Sequence, residues 1–381
     1  MTTSSEEVAY KLARMRDALS ETGAAAIRLR GTDWFAWATA GGSSTVLLAA
    51  ETGVAEVLVT PQDAWILTDE IEAQRLVDEQ LPADFQLQVN PWAEFSKREA
   101  FVREVAGDGK ILSDRVALPD GTRVALPDGT RVALPEAALP PSLLYHKRVL
   151  LPSEIDRYRQ IGRLASEAMT EALSQAQPSW TEYELAGAGA AALWSRGLHP
   201  ALTLVAGERR LPLYRHPLPT QVTIGRVAMM VFCARSQGLY ANLTRFVHFG
   251  SLPSEQAKLH QQVREVEAVA LNQSQPDLAL NAVYGSIAQA YEQHGYPQAI
   301  QEHHQGGTTG YLAREVVANP TTADPLAAGM AIAWNPSLPG AKIEDTFVIQ
   351  ADGKLENLTF DPNWPSVNVD GRDRPIPLEL D

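Results

Sequence analysis

The sequence contains a single cysteine, Cys233, so its 381 residues cannot form an internal disulfide. One unpaired cysteine fits a reducing compartment. The first residues lack the basic segment and the apolar run of a secretory signal. No apolar run approaches the roughly 20 residues that a membrane helix needs. From these absences we expect a cytoplasmic protein with no membrane partner.

Positive charge is also scarce, since 32 lysines and arginines face 46 acidic residues and give a net charge of −14. No block of basic residues stands out against that acidity, which argues against a nucleic-acid partner. The 45% hydrophobic content is ordinary for a globular protein, and the length allows two domains with full cores.

Residues 1–140 alternate between helical and strand-like patterns, which predicts an α/β layer domain. A helix is expected over residues 6–20, where Val8, Leu12, Met15 and Leu19 recur at helical spacing. A second helix is expected over residues 69–79. Strands are expected at residues 24–29, 64–68 and 110–114, and a hairpin is expected from residues 45–50 and 54–60.

Residues 115–135 contain a tandem repeat in which Arg-Val-Ala-Leu-Pro-Asp-Gly-Thr occurs twice and is followed by a fragment. A solenoid needs about three stacking units, so two copies are too few to build one. Each copy ends in an Asp-Gly turn signal. We interpret the segment as an exposed linker that has undergone a local duplication.

Residues 150–381 predict a second domain, which opens with a long helix after Pro152 and Ser153. Thr181 has the features of a helix N-cap, because acidic residues follow it in the first turn. Strands are expected at residues 202–205 and 226–232, and helices at residues 254–272 and 280–295. Residues 329–349 then read as two strands joined by a Pro/Gly turn, with Asn335 near the end of the first strand and Glu344 in the second.

Two polar side chains between apolar strands are costly to bury without a purpose, so this hairpin is a candidate part of a functional site. The sequence Gly-Met at 329–330 and Ile-Glu-Asp at 343–345 resembles the last strands of the M24 peptidases. Gly238-Leu-Tyr-Ala-Asn-Leu-Thr-Arg245 and His303-His304-Gln-Gly-Gly followed by Arg314-Glu315 resemble two further motifs of that family, in the same order.

The resemblance implies an α+β protein. A creatinase/prolidase-type N-terminal α/β domain would be followed by a pita-bread catalytic domain, and related proteins are homodimers. The family's dinuclear metal site uses two aspartates, one histidine and two glutamates. In this sequence these positions fall on Val231, Asn242, His304 (or His303), Asn335 and Glu344. One carboxylate remains where four are needed to neutralise two divalent cations, so we expect no dinuclear metal site.

The resemblance also suggests roles for other side chains. His216 matches a family histidine that contacts substrate, and the matching histidine is the base of metal-free creatinase. The family's second histidine falls on Arg314 or on Tyr311, and both are candidate ligand-binding residues. Arg314 or Arg245 is a candidate for binding a carboxylate, although a structural ion pair is the favoured role of Arg245. Lys342 lies two residues before Glu344 and is expected to pair with the region around it.

Three functions remain open from the sequence, so whether the chain is an enzyme is undecided. The first is a metal-independent hydrolase of a small amide, amidine or proline-containing compound. Its catalytic residues would be His216, Glu344 and His304, with Asn242 and Asn335 binding a dipeptide-sized ligand. The second is a catalytically inactive protein that binds a small ligand or peptide. The third is an Xaa-Pro dipeptidase with one divalent ion on His304 and Glu344; otherwise no cofactor is expected.

Removal of one eight-residue copy of the repeat should leave the melting temperature nearly unchanged, because an exposed linker contributes little packing. Thermal unfolding of the shortened and full-length chains measures this directly. A melting temperature lower by many degrees would show that the repeat is part of the folded structure.

Overall fold

The structure is a computed structural model that describes residues 4–116, 124–125, 131–132 and 136–381. The chain divides into two compact units. The first contains Met1–Lys147 with Leu151–Glu154, and the second contains Arg148–Leu150 with Ile155–Asp381. The tandem repeat lies mostly outside the described residues, so its interpretation as a linker stays a prediction.

The first unit is built around a six-stranded mixed sheet in the order β4-β3-β2-β1-β5-β8. Its helices are α1 Ser4–Thr22, α2 Thr32–Ala38, α3 Ala73–Glu79, α4 Phe95–Ala106 and α5 Pro141–Arg148. Its strands are β1 Ala26–Gly31, β2 Thr52–Val59, β3 Ala64–Asp69, β4 Gln86–Asn90, β5 Ile111–Ser113, β6 Val124–Ala125, β7 Arg131–Val132 and β8 Glu136–Ala138.

The apolar face of α1 is buried as its spacing predicts, since Val8, Leu12, Met15 and Leu19 are all at most 6% exposed. Arg28 of β1 lies buried between Glu56 and Glu99, and its guanidinium Nε is 2.6 Å from the Glu56 carboxylate. Burial of this charge is tolerated because both neighbours are carboxylates.

One expectation for this unit was wrong, and one helix was not predicted. Residues 45–50 form no strand, because β2 is already paired on one edge with β1 and on the other with β3. The side chains of Val46, Leu47 and Leu48 are exposed instead. Helix α2 was missed, because all seven of its residues are buried and it therefore has no polar face to give a helical pattern.

The second unit begins with two helices, α6 Pro152–Ser174 and α7 Glu182–Trp194. Thr181 caps α7 as predicted. Its hydroxyl accepts a hydrogen bond from the Glu184 backbone N–H at 3.1 Å, and the Glu184 carboxylate accepts one from the Thr181 N–H at 2.7 Å. Strands β9 His199–Gly207, β10 Val227–Ser236 and β11 Leu239–Phe249 follow in one antiparallel sheet.

The rest of the unit packs helices against a second sheet, ordered β13-β12-β14-β17-β18. The helices are α8 Ser254–Gln273, α9 Leu280–Gln293 and α10 Ala299–Glu302. The strands are β12 Gly306–Thr309, β13 Val316–Val317, β14 Ala331–Trp334, β15 Ser337–Leu338, β16 Ala341–Lys342, β17 Phe347–Ile349, β18 Leu355–Asn357, β19 Ser366–Val369, β20 Arg372–Pro375 and β21 Leu378–Leu380. Strand β21 joins the first sheet beside β11.

The predicted closing hairpin is present, since β14 pairs antiparallel with β17. Between them, β15 and β16 form a second, smaller ladder. Glu344 therefore lies in the segment between β16 and β17 rather than within a long strand. A single bridge joins Glu344 to Thr244 of β11 and so links the hairpin to the other sheet. Across the residues that the structure describes, no helix combines the length and apolarity required to cross a membrane.

A buried network of charges holds the C-terminal segment of the second unit. Arg374 contacts the Glu267 carboxylate at 2.5 Å and the Asp345 carboxylate at 2.9 Å. Arg245 contacts the other oxygen of Asp345 at 2.8 Å. All four residues are at most 4% exposed, so each charge depends on its neighbours for neutralisation.

Replacement of Arg374 with methionine should lower the free energy of unfolding by about 3–5 kcal/mol, because it leaves the buried Glu267 carboxylate without its arginine and removes one of the two arginines at Asp345. Urea unfolding measures the change. The matched control is Arg226→Met, which removes an exposed pair with Glu208 and should leave the unfolding curve unchanged. An Arg374→Met protein with the wild-type midpoint would contradict this account of the network.

Candidate active site

Strands β10 and β11 place two of the predicted positions, Val231 and Asn242, next to each other. In the antiparallel register, Val231 lies opposite Thr244 and Cys233 lies opposite Asn242. Alternation along β10 puts Val231 and Cys233 on the same face of the sheet. Val231 packs in an apolar cluster with Leu204, so this face has an apolar floor.

Asn242 is fully buried beside that floor. Its side-chain amide donates to the Thr309 hydroxyl at 2.9 Å, while its carbonyl oxygen Oδ1 has no hydrogen-bond partner among the described residues. The carbonyl oxygen of Asn335 is likewise buried and unpartnered within the described part of the chain. The acceptor of Asn335 is available to a donor on a bound molecule, because Asn335 lines the pocket described below, whereas Asn242 does not line that pocket.

His303 and His304 lie just before β12, where the backbone of Gly306 passes very close to the backbone of Ala333 in β14. Gly306 adopts φ +99°, and a Cβ there would lie 2.1 Å from the Ala333 carbonyl oxygen. Only glycine fits this position without displacing β14. The close approach fixes where His303 and His304 enter the site.

These elements enclose a pocket of about 450 Å³, a size typical of small-ligand sites. Five of the predicted site residues line it, together with Lys342: His216, His304, Arg314, Asn335 and Glu344. The rest of the lining is mostly apolar: Leu202, Leu204, Leu218, Val231, Cys233 and Ala313.

Glu344 is 2% exposed and is held by basic and hydroxyl groups. The Arg314 guanidinium forms a direct ion pair with its oxygen Oε1. Lys342 Nζ lies 3.9 Å from the other oxygen, Oε2, as the sequence predicted, and the Thr244 hydroxyl donates to Oε2 at 3.2 Å. The pocket therefore contains two basic side chains for one carboxylate.

Burial lowers the pKa of Lys342, and the positive charge of Arg314 lowers it further, while Glu344 opposes both effects. A buried lysine of this kind gives up its proton more readily than one in water. The two basic groups therefore differ, since an arginine keeps its charge under all ordinary conditions.

Three histidines meet at one side of the pocket. His216 Nε2 and His303 Nε2 are 3.0 Å apart, which is hydrogen-bond distance. The His303 and His304 rings stack with centroids 4.5 Å apart. The sequence left open whether His303 or His304 matches the family's metal-ligand histidine. In the structure both contact His216, and His304 lines the pocket.

All three imidazoles are held neutral. Burial, followed by the charge of Lys342, lowers the pKa of His303 to about 2. Burial, followed by the charge of Arg314, lowers the pKa of His304 to about 4. His216 is exposed, yet partial desolvation and Lys342 lower its pKa as well. At neutral pH each ring therefore has one N–H and one lone pair.

Arg245 and Tyr311 do not line the pocket, although the sequence placed both among the ligand-binding candidates. The Arg245 guanidinium is engaged by Asp345, and it also donates to the Thr359 carbonyl oxygen at 3.0 Å. Tyr311 is fully buried, and its hydroxyl lies 3.4 Å from the Arg157 guanidinium. Both side chains are therefore occupied in the packing around the site.

The sequence of residues 156–351 matches the model of metallopeptidase family M24, which is more than half of the chain. Together with the two-unit fold, this match defines an α+β protein with a prolidase-like N-terminal domain and a pita-bread C-terminal domain. The chain belongs to metallopeptidase family M24. No curated protein matches its sequence.

Solved structures share the fold at low sequence identity. The Xaa-Pro dipeptidase from Bacillus anthracis has a TM-score of 0.77 at 17% identity, covering 98% of this chain and 100% of its own. The prolidase from Pyrococcus horikoshii OT3 has a TM-score of 0.76 at 19% identity, with coverages of 92% and 98%. The N-terminal domain of FACT complex subunit SPT16 from Cicer arietinum has a TM-score of 0.70 at 12% identity, with coverages of 93% and 96%.

The residues present do not fit the family's pair of metal ions. Val231 has no lone pair and lies in the apolar floor, and Asn242 and Asn335 offer only neutral amides. The remaining carboxylate, Glu344, already forms an ion pair with Arg314. Two divalent cations at this position would face Arg314 and Lys342 with a single negative charge for compensation.

Some features of the site were not predicted. The leucines 202, 204 and 218 form the apolar wall, but no sequence signal distinguishes a pocket-lining leucine from a core one. Cys233 is buried and borders the pocket, a place that the sequence did not indicate. Its place opposite Asn242 follows from the strand register, which the turn at residues 237–238 sets.

Burial raises the pKa of the Cys233 thiol to about 12, and the nearby Glu344 charge adds to the effect. The thiol should therefore stay protonated at pH 8 and react slowly with iodoacetamide, since the thiolate is the nucleophile. Mass spectrometry of the alkylated native protein measures the rate, with urea-unfolded protein as the control. Equal rates in the two states would contradict the predicted burial.

Proposed function

We propose that this protein hydrolyses a small, dipeptide-sized amide without the dinuclear metal site of its family. The observation that carries the proposal is the ion pair between Arg314 and Glu344 in a pocket that also contains His216. The pocket supplies a neutral base and two basic hydrogen-bond donors, and these are the groups that amide hydrolysis needs. Amidines and proline-containing compounds of this size belong to the same substrate class.

In the proposed reaction His216 activates water. When its Nε2–H donates to His303 Nε2, the other ring nitrogen, Nδ1, holds the lone pair that accepts a proton. The water oxygen then attacks the amide carbon, and the protonated imidazole returns the proton to the leaving nitrogen. His303 fixes the orientation of the base through the 3.0 Å contact.

Arg314 and Lys342 would stabilise the negative charge that develops on the carbonyl oxygen. Glu344 would orient Arg314 and limit the net positive charge of the pocket. The unpartnered Oδ1 atom of Asn335, which lines the pocket, would accept a hydrogen bond from an N–H group of the substrate. The apolar wall would receive the substrate's hydrocarbon part.

Hydrolysis of a panel of Xaa-Pro dipeptides and small amides should persist after exhaustive dialysis against chelator. His216→Ala should lower the rate by about 10²–10⁴-fold, the usual contribution of a general base. His294→Ala is the matched control, because His294 faces Glu265 on α8 and not the pocket. Mass spectrometry of the products provides the measurement.

Two outcomes would contradict the proposal. One is a rate that does not respond to His216→Ala. The other is activity that disappears with chelator and returns only with two equivalents of Mn²⁺ or Co²⁺ per chain, as expected of an ordinary dinuclear metallopeptidase.

A second candidate function is binding without catalysis. It is favoured by the same ion pair, since a carboxylate already held by Arg314 is a poor partner for catalytic chemistry. The SPT16 domain also shows that the fold occurs in a protein described as a subunit of a complex. In this case panel compounds would raise the melting temperature of wild-type protein but would not be cleaved.

A further inference from the structure

We propose that His216, His303 and His304 bind one late first-row transition-metal ion, with Zn²⁺ as the reference case. One ring nitrogen from each histidine lies within 4.8 Å of the other two. The three residues come from the β9–β10 loop and from the segment before β12. This set differs from the family's carboxylate-rich set, because it contains no acidic residue and adds two histidines.

The spacing is close to what a metal ion requires. Zinc bonds imidazole nitrogen at about 2.0–2.1 Å, so two nitrogens of a tetrahedral site lie roughly 3.3 Å apart. The His216 and His303 nitrogens are already 3.0 Å apart. The widest pair, at up to 4.8 Å, must close by about 1.5 Å. His216 is exposed on a loop, so rotation of its side chain can supply that movement.

The hydrogen bonding of the three histidines is incomplete within the described residues. Two neutral rings that meet through their Nε2 atoms share one proton, which satisfies only one lone pair. The Nδ1 atoms of His303 and His304 are buried, and neither has a hydrogen-bond partner within the described residues. His303 itself is 7% exposed. A metal ion in place of the shared proton uses both Nε2 lone pairs at once.

The charged side chains near the histidines determine which metal ions the site can bind. Arg314 and Lys342 lie near the histidines and repel cations held mainly by Coulomb attraction to oxygen, such as Mg²⁺ and Mn²⁺. Zn²⁺, Ni²⁺ and Cu²⁺ bond imidazole nitrogen more strongly, following the usual order of affinities. Glu344 lies on the same side and offsets part of the positive charge. The site should therefore take late transition metals and reject Mn²⁺.

The ion would also regulate the proposed hydrolysis, and this consequence alone rests on the proposed function. Coordination through Nε2 places the remaining proton of His216 on Nδ1. That proton removes the lone pair required to deprotonate water. Zn²⁺ should therefore inhibit the hydrolase, whereas chelator should restore its activity.

The test is a titration of tag-free, chelator-treated full-length protein with Zn²⁺ in competition with a chromophoric chelator. We expect one equivalent per chain, with Mn²⁺ showing no binding. His216→Ala and His303→Ala should each weaken Zn²⁺ binding by more than the ~10–100-fold that loss of an outer-shell partner costs. His294→Ala is the control and should bind as wild type does. Circular dichroism verifies that each variant is folded, and His216, exposed on its loop, is the safer substitution.

Zn²⁺ binding that is absent, or that is unchanged by His216→Ala, would overturn the site. So would two equivalents of Mn²⁺ whose binding is lost in Glu344→Gln, because that result places the ions at the family's carboxylate positions. The binding measurement needs no substrate. A protein that binds one Zn²⁺ but hydrolyses nothing would therefore support the site and contradict the proposed function.

Discussion

The ion pair between Arg314 and Glu344 determines how the rest of the pocket is to be understood. Glu344 is the one carboxylate left at the five family positions, and a carboxylate buried to this degree needs a positive partner. In a dinuclear metallopeptidase the metal ions play that part. Here Arg314 and the nearby Lys342 supply the positive charge from the chain itself. The neutral side chains of Val231, Asn242 and Asn335 are consistent with this exchange, since carboxylates at all three positions would, together with Glu344, outnumber the two basic groups.

The same positive charges help to explain why the pKa values of His303 and His304 are low. Positive charge beside a desolvated imidazole disfavours its protonation, so His303 and His304 stay neutral far below pH 7. Neutral rings in contact share protons or coordinate a metal ion, but do not repel one another as imidazolium groups do. The lone pairs of these neutral imidazoles could either accept a proton or bind zinc. His216 has a part in both proposals, as the base and as a zinc ligand.

The sequence predicted the scaffold well, because its signals are local. Helical spacing located α1, α8 and α9, and the capping residues located the start of α7. The family motifs then brought His216, His304, Arg314, Asn335 and Glu344 to one pocket. Prediction failed where tertiary contacts decide the outcome. Helix α2 is buried on every side, and residues 45–50 lose their strand because β2 has two other partners. The structural ion pair expected for Arg245 is present, with Asp345 as its partner. The homodimer and the cytoplasmic location stay predictions.

Anomalous diffraction from crystals soaked in Mn²⁺ tests the central claim most directly, because it locates metal ions without reference to activity. The account predicts no manganese peak between Asn242 and Glu344, and it predicts the Arg314 guanidinium in contact with the Glu344 carboxylate. Two manganese peaks about 3.5–4 Å apart at Glu344, with Arg314 turned away, would show an ordinary two-metal centre and contradict it.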